Sequence, residues 1–205
     1  MAIQLSLALI AILYTLAQVA MMPETVPVHW GPSGQADGYG SKYMVLGLTL
    51  LLSLLIPVLT VALPKISPSQ KPLKLNDPAY LKLMTFIGVM MTGFALVTLT
   101  ASATPKSDPT RPIMVLMGLM FAGMGPMLSG IKPKYYAGIR TPWTLSSDAV
   151  WTETHRRSAI IFTAGGIATV LMALVTPWPV LGIVPVLMAS FGSVIDSYFV
   201  YQRLK

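Results

Sequence analysis

Residues 44–63 read MVLGLTLLLSLLIPVLTVAL, a run without one charged side chain. At about 1.5 Å per residue, a helix of roughly 20 residues crosses a hydrocarbon layer about 30 Å thick, so this stretch is long enough to span a bilayer. Five further runs share its character: Ile3 to Met22, Leu83 to Ala103 with Lys82 at its entry, Ile113 to Ile131, Ser158 to Val175, and Val180 to Tyr201 after the break at Thr176-Pro177-Trp178-Pro179. The chain of 205 residues is 54% hydrophobic and only 10% charged, with a mean hydropathy of +0.69. That leaves too few polar groups to cover a water-facing surface. Backbone amides in hydrocarbon must be paired within their own segment, which makes each run a helix, and the runs stay apolar where barrel strands would alternate. The expected fold is all-α: a single membrane domain over residues 1–205, built as a bundle of six transmembrane helices.

Basic residues report the topology. Six spans place the second and fourth connections on the same side as both termini, and that side carries Lys65, Lys71, Lys74, Lys82, Lys132, Lys134, Arg140, Arg156, Arg157, Arg203 and Lys205. The other side has Lys42, Lys106 and Arg111. By the positive-inside rule both termini face the cytoplasm of a multi-pass cell-membrane protein. The first run has no basic region ahead of it and no Ala-x-Ala site, so it reads as a retained span. The net charge of +7 is scattered over loops and implies no direct nucleic-acid binding. Without cysteine, neither disulfides nor thiolate metal sites arise.

Two connections are longer than turning requires. The first, residues 23–43, is rich in Pro and Gly, which argues for fixed turns rather than helix or strand. Here His29 is expected to hydrogen-bond turn backbone, Trp30 to sit at the lipid interface, Asp37 to cap its own turn, and Lys42 to anchor at the interface. The sharper reading makes His29, Trp30, Asp37 and Lys42 a site for a cationic peptide. In the second, residues 132–157, Ser147 suits a helix N-cap and Asp148 the first turn of a helix running into the fifth span, with Glu153 and Arg157 four apart and Trp151 and His155 on another face. Arg140 stands among Tyr135, Tyr136 and Trp143, where stacking would fix the loop. Asp196, inside the last span, calls for a nearby base. Small residues such as Gly118 and Ala122, Gly125 and Ser129, and Ala164 to Gly166 mark close helix contacts.

The two loops carry ordered signatures. Pro23, Val26, Pro27, His29, Trp30, Gly34, Asp37, Gly40 and Lys42 form the first; Gly138 to Leu145, then Trp151 to Arg156, form the second. In both, and around six hydrophobic spans, the chain resembles the SdpI family of bacterial membrane proteins over nearly its whole length. The resemblance implies a non-enzymatic protein that confers immunity to, or senses, a secreted antimicrobial peptide outside the cell. It further implies a relay through Arg140, Trp143, Trp151, His155 and Arg156 to a cytoplasmic regulator. Membrane lipid is the remaining expected partner, and no cofactor is called for.

A second reading stays open. His29 and His155 are the only histidines and lie near carboxylates, so a metal-dependent membrane peptidase would hold a divalent ion such as zinc on His29, Asp37 and His155, with Glu24 or Glu153 as general base. Three spans separate the two loops, which counts against a shared ion. Glu153 and His155 are two apart and face differently on a helix, unlike a His-Glu-x-x-His pair. A small-solute transporter has only the membrane class in its favour.

Overall fold

The computed structural model describes residues 2–66, 74–104, 106–131, 133 and 137–205. Its elements run α1 (Ala2–Met21), β1 (Thr25–Trp30), β2 (Ala36–Ser41), α2 (Lys42–Ile66), α3 (Pro78–Ala103), α4 (Thr110–Leu128), the short α5 (Pro142–Ser146), α6 (Asp148–Val175), a 3-10 turn (Pro179–Gly182) and α7 (Ile183–Leu204). Six helices are long and apolar enough to cross a membrane, so the six-span reading holds. The chain is a multi-pass membrane protein. Helices α1, α2 and α3 pack on one another, as do α4, α6 and α7, and α3 meets α4 between the groups. An even number of spans returns the C-terminus to the end of the bundle where the N-terminus lies, leaving the β1–β2 hairpin at the opposite end.

The hairpin corrects the expectation of turns alone. Val26, Val28 and Trp30 are β-formers at alternate positions, and Gly31-Pro32-Ser33-Gly34 supplies the reversal, with Gly34 at φ 77°. Strand pairing is antiparallel, from Thr25 opposite Ser41 to Trp30 opposite Ala36. Val26 is buried with Val19, Met22, Val45 and Leu99, and Ser102 of α3 donates to the Pro27 carbonyl at 2.7 Å. The hairpin is therefore seated on the ends of α1, α2 and α3.

In the second group, α4 and α6 cross where side chains are missing. A Cβ on Gly118 would lie 2.7 Å from the Gly166 carbonyl oxygen, one on Gly125 2.6 Å from the Ala159 carbonyl oxygen, and one on Gly166 2.3 Å from the Ala122 nitrogen. Apolar area gives no drive to associate inside lipid, so backbone-to-backbone approach supplies the attraction. At the far end, Arg111 of α4 donates to the terminal carbonyls of α6, Ala173, Leu174 and Thr176, groups that no intrahelical amide can reach.

Proline inside α2 has a matching repair. Pro64 has no N–H to give the Thr60 carbonyl, and the Tyr80 hydroxyl of α3 donates to that oxygen at 2.9 Å. Tyr80 is fully buried and is itself placed by the Asp77 N-cap, which accepts from Ala79 and Tyr80 nitrogens.

The α4–α6 crossing gives a direct test. Gly166→Leu is expected to lower stability in detergent by about 1–3 kcal/mol, the usual cost of overpacking. Gly192→Leu, where a Cβ would meet nothing within 4 Å, is expected to leave the thermal midpoint unchanged. Equal midpoints for the two variants would contradict the crossing.

Candidate functional site

At the hairpin end, pairing is irregular around one residue. Pro27 faces Tyr39, His29 faces Gly38 and Trp30 faces Ala36, so Val28 is an extra residue in β1 and Asp37 an extra residue in β2. Bulges re-aim side chains, and this pair brings the His29 Nδ1 to 2.5 Å from Asp37 Oδ1. Both side chains remain more than half exposed. Glycine is required opposite: a Cβ on Gly38 would come 2.8 Å from the His29 Cβ, and one on Gly31 2.9 Å from Asp37 Oδ2. His29 thus bonds a carboxylate rather than turn backbone, and Asp37 holds the imidazole rather than capping its own turn.

Beside this pair lies a groove of about 560 Å³ between the hairpin and the ends of α2, α3 and α4. His29, Trp30 and Asp37 line it with Leu48, Thr98 and Ile113. The groove is mostly apolar, and among the described residues His29 and Asp37 are the only titratable ones that line it. Sequence reasoning missed Leu48, Thr98 and Ile113, because each lies in an ordinary span and reaches the site only through the packing of three helices.

Lys42 does not share that groove. Its side chain is largely buried and its ammonium lies 3.0 Å from Glu24 Oε1, donates to the Met22 carbonyl at 3.3 Å and stands 5.6 Å from the Tyr43 ring centroid. The Lys42 amide also donates to the Glu24 carbonyl at 3.1 Å. Lys42 and Glu24 therefore clamp the base of the hairpin, where interfacial anchoring was expected of Lys42.

At the other end, α6 begins at the Ser147 N-cap, whose hydroxyl accepts from Val150. Trp151 and His155 stack with ring centroids 4.1 Å apart, both almost fully buried. Trp151 Nε1 donates to the Ile131 carbonyl at 2.8 Å. His155 Nε2 accepts from the Ile139 amide at 3.0 Å, which leaves the proton on Nδ1 to be donated to the Trp151 carbonyl at 2.8 Å. Two turns of α6 thereby grip both sides of the connection from Ile131 to Ile139. Gly138 completes the fit, with φ 122° and a notional Cβ 2.3 Å from His155 Nε2.

The next residues continue the docking. Thr141 and Thr144 form a capping box on α5, Thr144 donates to the Ile139 carbonyl, and Trp143 Nε1 donates to Ser197 of α7 at 2.9 Å. Arg156 forms a bidentate pair with Glu153 at 2.7 Å. Arg157 takes Asp196 of α7 at 2.7 and 2.6 Å, so the Glu153–Arg157 spacing is superseded and Asp196 has the base expected for it. Arg140 is exposed. The suggested partners Tyr135 and Tyr136, and the basic residues Lys71, Lys132 and Lys134, lie outside the described residues.

The two signature loops occupy opposite ends of the bundle. His29 and Asp37 come together, while His155 is joined to neither. Among the described residues no three His, Asp or Glu side chains converge as a metal site would require.

Both loops recur in known sequences. The family model described as the SdpI/YfhL protein family matches residues 130–196, the inner connection with α6 and most of α7. Over that stretch the chain is similar to the family. A model described as a domain of unknown function, DUF1648, matches residues 7–53, enclosing the hairpin. The immunity protein SdpI of Bacillus subtilis (strain 168) is 25% identical over 185 residues, covering 89% of this chain and 86% of that protein. No solved structure matches. The SdpI/YfhL match thus contains the Trp151–His155 clamp together with Ile131 and Ile139, the residues it holds.

In His155→Phe the ring stack is kept and the Ile139 amide loses its acceptor, an expected cost of about 1–3 kcal/mol. The measurement is trypsin cleavage after Arg140 in the detergent-solubilised protein, which should quicken; an unchanged rate would show that the histidine does not hold the loop.

Proposed function

We propose that this chain is an SdpI-family protein that gives its cell immunity to a secreted antimicrobial peptide, recognised at the hairpin groove. The observation that carries the reading is the His29–Asp37 pair, exposed at the mouth of an apolar groove and fixed there by two compensating bulges. A peptide that attacks membranes is apolar along one side and commonly cationic. The groove offers apolar walls, and the carboxylate of Asp37 offers a charge-assisted hydrogen bond. The name of the Bacillus subtilis relative supports the same reading.

Recognition outside the cell requires the hairpin end to face outward and both termini to lie in the cytoplasm, as the basic residues at the terminal end favour. A relay to a cytoplasmic regulator would use what the inner loop displays. Arg140 and Arg156 are exposed there, whereas Trp143, Trp151 and His155 are turned into the bundle and position the loop.

Orientation is open to labelling, since the native chain has no cysteine. In intact cells an impermeant maleimide is expected to label Ser33→Cys and to leave Leu204→Cys unlabelled until the membrane is opened; the reverse pattern would invert the topology.

Immunity is tested by expression in a host sensitive to a secreted, membrane-active cationic peptide. Wild-type chain should restore growth, and His29→Ala or Asp37→Asn should raise sensitivity about tenfold, as loss of one charge-assisted contact implies. Growth no better than with empty vector would sink the immunity reading.

A further inference from the structure

The hairpin groove does not end at the hairpin. A second depression of about 410 Å³ shares Val28, Leu48 and Thr98 with it and continues along Met44, Gly47 and Leu51 of α2. Leu51 lies nine positions after Lys42, the first residue of α2, which is about 13 Å of helix. Half of a hydrocarbon layer is about 15 Å. The continuous track therefore runs from the interface nearly to the bilayer midplane, and Met44 and Leu51 at its side are 58% and 56% exposed.

Gly47 decides whether the track is open. Glycine weakens a helix interior; at Gly118, Gly125 and Gly166 it is matched by close contact, while Gly192, like Gly47, meets nothing and borders no depression shared with the hairpin groove. At Gly47 a Cβ would meet nothing within 4 Å, so helix packing does not call for it. What the missing side chain leaves is space in the depression.

We propose that the peptide ligand enters sideways from the outer leaflet, its apolar segment lying along the track at Gly47 and a cationic end meeting Asp37. This rests on the peptide-recognition reading above and adds the route and the chemistry of the ligand. Charge complementarity selects the occupant. An anionic phospholipid placing its acyl chain in the track would bring uncompensated negative charge toward the Asp37 carboxylate, an unfavourable pair, whereas the ammonium or guanidinium of a cationic peptide there is attracted. Gly47 is then a specificity-determining residue, because any side chain there takes up the room the apolar segment needs.

The test uses full-length protein in phosphatidylcholine nanodiscs and a synthetic Leu/Ala peptide of about 20 residues, with lysines at one end and photoreactive leucines along its length. Crosslinks are expected to concentrate on Met44, Leu48, Leu51 and Thr98 and to saturate with peptide. Gly47→Leu and Gly47→Trp should weaken that saturation about tenfold, Asp37→Asn by a similar factor, and Gly192→Trp not at all. Thermal midpoints of both Gly47 variants should match wild type, which separates a filled track from a misfolded one. Crosslinks spread over all lipid-facing helices and indifferent to Gly47 would overturn the proposal. So would native mass spectra in which Gly47→Trp removes a retained phospholipid while peptide crosslinks persist. Saturable crosslinking at the track together with failed protection in the growth assay would leave the track standing and sink immunity; protection that Gly47→Trp does not impair would do the opposite.

Discussion

Hydrocarbon offers no hydrogen bonds, so the backbone amides and carbonyls carried into it must be paired by the chain itself. Much of the structure follows from that one condition. It makes the six runs helical, and it explains why the side chains that cross between elements so often end on main-chain oxygens. Arg111 supplies the last carbonyls of α6, Trp151 supplies Ile131, Ser102 supplies Pro27. The bidentate pair of Arg157 with Asp196 across α6 and α7 answers the same condition for charge. Where the backbone leaves helix at the hairpin end, it pairs with itself as a ribbon, and the bulges there leave the His29 and Asp37 side chains facing outward.

The two signature loops meet that condition in opposite ways. The inner one is consumed by it: Trp143, Trp151 and His155 spend their polar atoms on Ser197, Ile131 and Ile139. The outer one is not, since His29 and Asp37 satisfy each other while remaining exposed. A ligand arriving at the hairpin can compete for those two groups without unmaking the fold. That contrast separates a recognition surface from a structural clamp more firmly than the similar length and composition of the two loops would.

Most of the fold was legible because hydrophobic runs, unlike packing, are written locally. The Ser147 cap, the shared face of Trp151 and His155 and the base for Asp196 followed from helical spacing and span position. The hairpin was misread because Pro and Gly mask the alternation of Val26, Val28 and Trp30, and because compensating bulges break a strict period of two. Lys42 was misread as an anchor since Glu24 lies eighteen residues earlier and is brought back only by the ribbon. Arg157 followed Asp196 instead of Glu153 because α7 offers a bidentate partner across the interface. The groove walls at Leu48, Thr98 and Ile113 carried no signal at all, being ordinary span residues until three helices converge.

The bond from Tyr80 to the Thr60 carbonyl bears on how the chain enters the membrane. Thr60 is fully buried, and with Pro64 one turn later its oxygen lacks the usual i+4 donor within α2. A ribosome delivers α2 before α3, so during synthesis the second span passes through a stage before its Tyr80 donor has been made. That stage ends when Asp77 starts α3 and Tyr80 swings against it. Spans two and three therefore have reason to leave the translocation channel together, as one helical hairpin, with Tyr80 as the latch that lets the pair partition into lipid.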